Sequence, residues 1–132
     1  MYKRQGLSTP EVFREFDRVD AAAAPALADP TPEEVAALCG EPEELRHCLV
    51  NDLQAPALRL RPELAETIAA AQEVGALAVT LSGSGPTVAA LAHDAAHAQA
   101  LAATLSDAPT VARAIPTHGP VCGARIESTE AI

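Results

Sequence analysis

Apolar positions first recur in a helical pattern at Val12, Phe13 and Phe16, and the stripe runs to about Val19. Ser8-Thr9-Pro10-Glu11 precedes it as a helix start: a hydroxyl cap, a proline in the first turn and an acid close behind. Residues 20–30, rich in Ala and Pro, break the pattern and read as a variable linker. Thr31-Pro32-Glu33-Glu34 repeats the start signal for a short helix ended by Gly40. Glu41-Pro42-Glu43-Glu44 opens another, carrying Leu45, Cys48 and Leu49. Asn51-Asp52-Leu53 can cap a further short helix that is interrupted at Pro56. After Arg61-Pro62-Glu63 the periodicity is clearest: Leu64, Ile68, Ala71 and Gln72 share a face, and Gly75 closes the helix.

Beyond Gly75 the apolar residues form runs. Residues 76–81 read as a buried strand and 87–91 as a second, joined by Ser82-Gly83-Ser84-Gly85-Pro86. Residues 94–105 form an Ala-rich helix with Ala98, Leu101 and Leu105 on one face. Residues 110–117 and 121–126 read as two more strands, joined through His118-Gly119-Pro120. The order helix, strand, strand, helix, strand, strand predicts an α+β fold, an antiparallel sheet with helices on one face. No internal repeat of fixed period is visible.

Composition narrows the function classes. The chain has 132 residues, enough for one domain with a core. Its apolar residues are mainly Ala, Leu and Val, so a core of small aliphatics is expected, with Phe13 and Phe16 its only bulky rings. The formal charge of −9 argues against a nucleic-acid partner, which needs clustered cations. No apolar run is long enough to span a membrane and no signal peptide is present, so a cytoplasmic protein is expected. Cys39, Cys48 and Cys122 have no paired spacing, which favours reduced thiols over disulfides or a zinc site. The first five residues, MYKRQ, hold the chain's only Met, Tyr and Lys. They match what a sequencing-library transposon adapter encodes. Residues 1–5 are therefore expected to be an artefact, residues 6–132 the domain, and the natural protein to extend upstream; a genuine basic N-terminus is the alternative.

The glycine-serine loop is the first candidate for chemistry. A P-loop needs Gly-Lys-Ser/Thr, and the body of this chain has no Lys. The dinucleotide fingerprint needs a third glycine where Val88 stands. A nucleophile elbow needs glycine where Ser82 stands, and Ser84 has no evident base. What remains is a turn, or a ligand-facing loop whose exposed N–H groups form an anion nest. His93 and His97 lie one helical turn apart but have no third ligand in sight, so they read as an exposed helix face. His47 and His118 have no partner that sequence can name. Glu33, Glu34, Glu43 and Glu44 read as solvated residues favouring helix dipoles. Asn51-Asp52 reads as a cap, with direct substrate contact as the alternative. Phe13 is a core ring or, given the scarcity of aromatics, a stacking platform for a base or sugar.

Four segments together resemble one family. They are Gly6-Leu7-Ser8-Thr9-Pro10-Glu11-Val12-Phe13, Asn51-Asp52-Leu53-Gln54, Leu81-Ser82-Gly83-Ser84-Gly85-Pro86-Thr87 and Gly119-Pro120-Val121-Cys122-Gly123-Ala124-Arg125. In order along residues 6–132 they resemble the sheet-to-helix junction, the Asn-Asp-Leu segment, the third glycine-rich motif and the closing strand of the 4-diphosphocytidyl-2-C-methyl-D-erythritol kinases, within the GHMP kinase superfamily. The glycine loop alone points only to the superfamily.

The resemblance implies a GHMP kinase C-terminal domain of ferredoxin-like α+β architecture. It implies an enzyme that uses ATP and Mg²⁺ to phosphorylate the 2-hydroxyl of the methylerythritol moiety, in the non-mevalonate route to isoprenoid precursors. The catalytic residues of such kinases are expected in an N-terminal lobe, so no catalytic residue is carried over. Thr9, Pro10 and Phe13 match the segment on the cytidine end of the small-molecule substrate, with Phe13 stacking on cytosine. Gly83, Ser84 and Gly85 match the loop facing the methylerythritol and the transferred phosphate. Loss of a lobe implies an inactive fragment whose exposed interface self-associates. The alternatives are the same domain of a homoserine or mevalonate kinase, or a free-standing α+β binding module.

Overall fold

The computed structural model describes residues 6–20, 29–38, 40–119, 121 and 123. Among them the order is α1 (Thr9–Asp20), α2 (Pro32–Leu38), α3 (Pro42–Leu45), α4 (Gln54–Leu60), α5 (Leu64–Glu73), β1 (Ala78–Leu81), β2 (Val88–Leu91) and α6 (Ala95–Ser106). Helices combined with an antiparallel sheet make the fold α+β. The MYKRQ segment, most of the 20–30 linker, Cys39, Cys122 and most of 121–126 lie outside the described residues.

Local chemistry sets most helix ends. The Ser8 carbonyl accepts the amides of Glu11 (3.0 Å) and Val12 (3.1 Å), so α1 begins where the hydroxyl-Pro-acid signal predicts. Pro10 falls in the first turn, where its missing N–H has no intrahelical acceptor to lose. At α2 the Glu34 amide donates to Thr31 Oγ1 (3.2 Å) and the Thr31 amide to Glu34 Oε2 (2.7 Å), a reciprocal capping box. That cap matters because α2 buries no side chain. α5 ends in a Schellman arrangement: Gly75 N–H to Gln72 C=O (3.0 Å) and Ala76 N–H to Ala71 C=O (3.1 Å). Asp94 caps α6 by accepting the His97 amide (2.7 Å).

Two helices depart from expectation. α3 is a single turn and does not carry Cys48 or Leu49. After Leu45 the amides of His47 and Cys48 reach carbonyls three residues back, and Val50 reaches Cys48, tightening the chain out of the α-helix. α4 is not interrupted at Pro56. Pro56 is its third residue, still in the turn whose N–H groups lack helical acceptors, so the helix runs on to Leu60.

β1 and β2 pair antiparallel, with Ala78 opposite Leu91 and Leu81 opposite Val88. The Ser82 amide extends the ladder to the Thr87 carbonyl (2.8 Å). α5 packs against both strands and against α6, while α1 packs on α4. These contacts meet in a cluster of Val12, Ala57, Leu64 and Leu81, one residue each from α1, α4, α5 and β1, lined by Leu7, Leu53, Leu58 and Val88. The core is aliphatic as expected, but neither phenylalanine is in it: Phe13 is 49% exposed and Phe16 half-buried. Val12, beside Phe13 in the stripe, takes the buried position. Across the α1–α4 contact, Glu15 accepts from Arg18 (2.8 Å) and Arg59 (2.9 Å) with its side chain only 12% exposed.

Among the described residues, 110–117 form no strand. A strand exists through its ladder, and among the described residues nothing pairs with this segment. It faces Val88 and Ala90 of β2 across a cavity of about 1110 Å³, also lined by Leu64, Ala71 and Leu101. Val121 and Gly123 carry no strand pairing among the described residues either.

Candidate functional site

The Ser82–Pro86 loop leaves the sheet at the buried end of β1 and turns tightly. The Gly85 amide closes it on the Ser82 carbonyl (3.1 Å). Gly83 and Gly85 have φ of +58° and +76°, a left-handed conformation that side chains with a Cβ adopt only under strain. Above Gly83 there is open space, whereas a Cβ on Gly85 would touch Leu7 and Leu81 at 3.5 and 3.6 Å. The glycines thus serve the backbone turn; a Cβ on Gly85 would make only ordinary van der Waals contact with Leu7 and Leu81, so its positive φ is what requires glycine there.

Two other parts of the chain converge on this loop and on the end of β1 that leads into it. Thr9 Oγ1, at the start of α1, lies 2.8 Å from Ser84 Oγ, joining residues 75 apart in sequence. Asn51 Nδ2 donates to the carbonyls of Leu81 and Gly83, both at 2.8 Å, while its Oδ1 accepts the Leu53 amide (3.0 Å). Gln54 Oε1 accepts the Leu81 amide (3.0 Å) and the Thr80 hydroxyl (3.3 Å). Among the described residues the amides of Gly83 and Ser84 have no acceptor in the protein. The result is a loop with two free N–H donors and a pinned hydroxyl pair. It carries no charge of its own.

Thr9, Gly83, Ser84 and Gly85 are therefore brought together. Pro10 follows Thr9 and is exposed. Phe13 lies one helical turn beyond Thr9 on the same face. It is half exposed.

Sequence reasoning missed the two amides. Asn51 closes a local turn on the Leu53 amide but does not cap α4, which begins after Leu53 with no side-chain cap, and its amino group serves Leu81 and Gly83, 30 and 32 residues away. Its resemblance to a family segment was a signal that the position matters. Nothing local could say to what.

The histidine pair is arranged otherwise than as one helix face. His93 precedes the α6 cap, and its ring stacks on His97 with centroids 5.0 Å apart. His97 Nδ1 accepts the His93 backbone amide (3.2 Å), and His93 Nδ1 pairs with the Glu43 carboxylate. A hydrogen bond from its own backbone amide, then the one with His93, holds the Glu43 carboxyl below its ordinary pKa. Among the described residues no group of three or more His, Cys, Asp or Glu side chains could hold a metal ion. No helix among them is long and apolar enough to cross a membrane.

With this α+β unit and its glycine-rich loop described, the family model for "GHMP kinases C terminal" matches residues 23–121. The chain belongs to this family. Among curated relatives, the 4-diphosphocytidyl-2-C-methyl-D-erythritol kinase of Thermobifida fusca (strain YX) is 47% identical over 92% of the chain and 39% of its own length. Enzymes of the same name from Corynebacterium jeikeium (strain K411) and Salinispora tropica are 44% and 48% identical over 98% and 92% of the chain, covering 38% and 39% of their lengths. The chain spans about two fifths of the length of the curated relatives it matches.

Proposed function

We propose that this chain supplies the substrate side of an ATP-dependent kinase that phosphorylates the 2-hydroxyl of 4-diphosphocytidyl-2-C-methyl-D-erythritol. The observation that carries the reading is the Thr9–Ser84 hydrogen bond, which unites the α1 start and the glycine loop at one spot. Donors fixed before reaction can stabilise charge developing on a transferred phosphoryl group without a lysine. In this reading Thr9, Pro10 and Phe13 take the cytidine end, and Gly83, Ser84 and Gly85 face the methylerythritol and phosphate. The residues described do not fit a magnesium site of their own, since no carboxylate cluster is available. The metal, the catalytic base and its supporting lysine are assigned to the part of the relatives' length that this chain does not cover. The reading makes the protein cytoplasmic. Exposed Leu38, Val50 and Ile115 favour self-association of the isolated chain.

The test joins the N-terminal part of the Thermobifida fusca enzyme to residues 6–132 and assays ATP consumption with three alcohols. Turnover of the cytidylated substrate is expected, with none from the purified chain alone. A folded chimera that prefers homoserine or mevalonate would overturn the substrate assignment. Robust turnover by the isolated chain would overturn the division of labour.

A further inference from the structure

We propose that Asn51 is a positioning residue that aims the backbone donors of the glycine-rich loop; the inference rests on the reading of that loop as facing a phosphoryl group. A loop that receives an anion must turn its N–H groups toward it and its carbonyls away. Asn51 holds two of the carbonyls, those of Leu81 and Gly83. In a planar trans peptide the C=O and the following N–H point in opposite directions. Pinning the Gly83 carbonyl to Asn51 therefore aims the Ser84 N–H away from Asn51. The neighbouring peptide shows the same rule. With the Leu81 carbonyl on Asn51, the Ser82 N–H points to the far side and meets the Thr87 carbonyl.

The Asn51 amide has only one workable orientation. Flipped, it would set its oxygen against two carbonyl oxygens and its amino group against the Leu53 N–H. Gln54 completes the device. The Ser82–Thr87 bond marks which residues of β1 face β2, and by antiparallel alternation the backbone groups of Leu81 face outward. Gln54 takes the Leu81 N–H and Asn51 the Leu81 C=O, so two side-chain amides occupy that edge as a neighbouring strand would. The loop is thus braced from the α4 side, leaving the Gly83 and Ser84 amides as its free donors.

Two neutral or near-isosteric changes separate this role from mere stability. Asn51→Asp keeps an acceptor for the Leu53 amide but removes both donors. In ligand-free chain at pH 7, its Gly83 and Ser84 amide resonances should move away from the wild-type positions while α5 and α6 resonances stay. As the introduced carboxyl protonates it regains one donor, so the two resonances should return part of the way on acidification, a pattern that a purely structural lesion would not produce. Gly83 and Ser84 resonances that superimpose on wild type at pH 7 would overturn the proposal. Should that variant fail to fold, Asn51→Leu, neutral and of similar size, is read in the same way. Titration with inorganic pyrophosphate forms a separate arm. A saturable shift of the wild-type Ser84 amide, weakened about tenfold in Asn51→Leu, supports both readings. A wild-type loop that ignores pyrophosphate refutes the phosphoryl reading, and the ligand-free comparison still decides the role of Asn51.

Discussion

Replacing Leu81 by alanine tests the idea that one four-residue cluster holds the site together. Leu81 is 2% exposed and packs with Val12, Ala57 and Leu64, so its side chain joins β1 to α1, α4 and α5. Truncation removes three carbon atoms, worth ~2.4 kcal/mol at about 0.8 kcal/mol per buried methylene. Incomplete collapse of the hole adds to this, giving ~3–4 kcal/mol within the range seen for buried Leu→Ala changes. Few residues here are fully buried, so the total stability should lie near the lower end of the usual ~5–15 kcal/mol. The loss would then consume most of it. Leu81→Val provides a graded step of ~1 kcal/mol that keeps the chain folded. Val50→Ala, at a residue 79% exposed, should change stability by less than ~0.5 kcal/mol. Urea unfolding followed by circular dichroism measures all three. A Leu81→Ala loss below ~1 kcal/mol, or one no larger than that of Val50→Ala, would refute the assignment of the core.

Gly85→Ala should cost ~1–2 kcal/mol for its left-handed φ, while Gly6→Ala, which meets nothing within 4 Å, should be nearly neutral; equal effects in thermal melts would argue against a strained loop. Arg18 first, and Arg59 after it, hydrogen-bond Glu15 and hold its carboxyl below the ordinary value of 4.5, against the opposing effect of desolvation. A carboxyl depressed by folding contributes stability that is present above its unfolded pKa and is lost as pH falls through its folded one. Relative to Glu15→Gln, the wild-type melting temperature should therefore drop more steeply below pH 4.5; parallel curves would exclude the bridge. Thr31→Ala removes half of the α2 capping box, a loss of ~1 kcal/mol, and should speed amide exchange at Glu34 and Val35 about fivefold without altering exchange at Leu81.

The legible parts of this protein are those whose causes lie within a few residues. Ser8 to Glu11, Thr31 to Glu34 and Gly75 mark helix ends because caps satisfy backbone groups one turn away. The runs on either side of Gly83 and Gly85 mark a hairpin because left-handed glycines and flanking apolar residues are local facts. The stripe at Val12, Phe13 and Phe16 identified a helix face but not which residue would be buried. That depended on how α1 lies across α4, with Glu15 tied to Arg59, and it sent Val12 inward and left Phe13 half exposed.

The amino-acid sequence by itself determined the α+β class, the position of most elements and the glycine loop as the candidate site, since propensity, capping and turn chemistry act at short range. Tertiary structure alone decided that residues 110–117 pair with nothing among the described residues, because a strand requires a partner and an apolar run does not supply one. It also decided that Thr9 meets Ser84 across 75 residues and that Asn51 reaches the carbonyls of Leu81 and Gly83. Hydrogen bonds of a few ångströms between distant segments carry no periodic trace in the chain. They exist only once the aliphatic cluster has brought α1, α4 and β1 together.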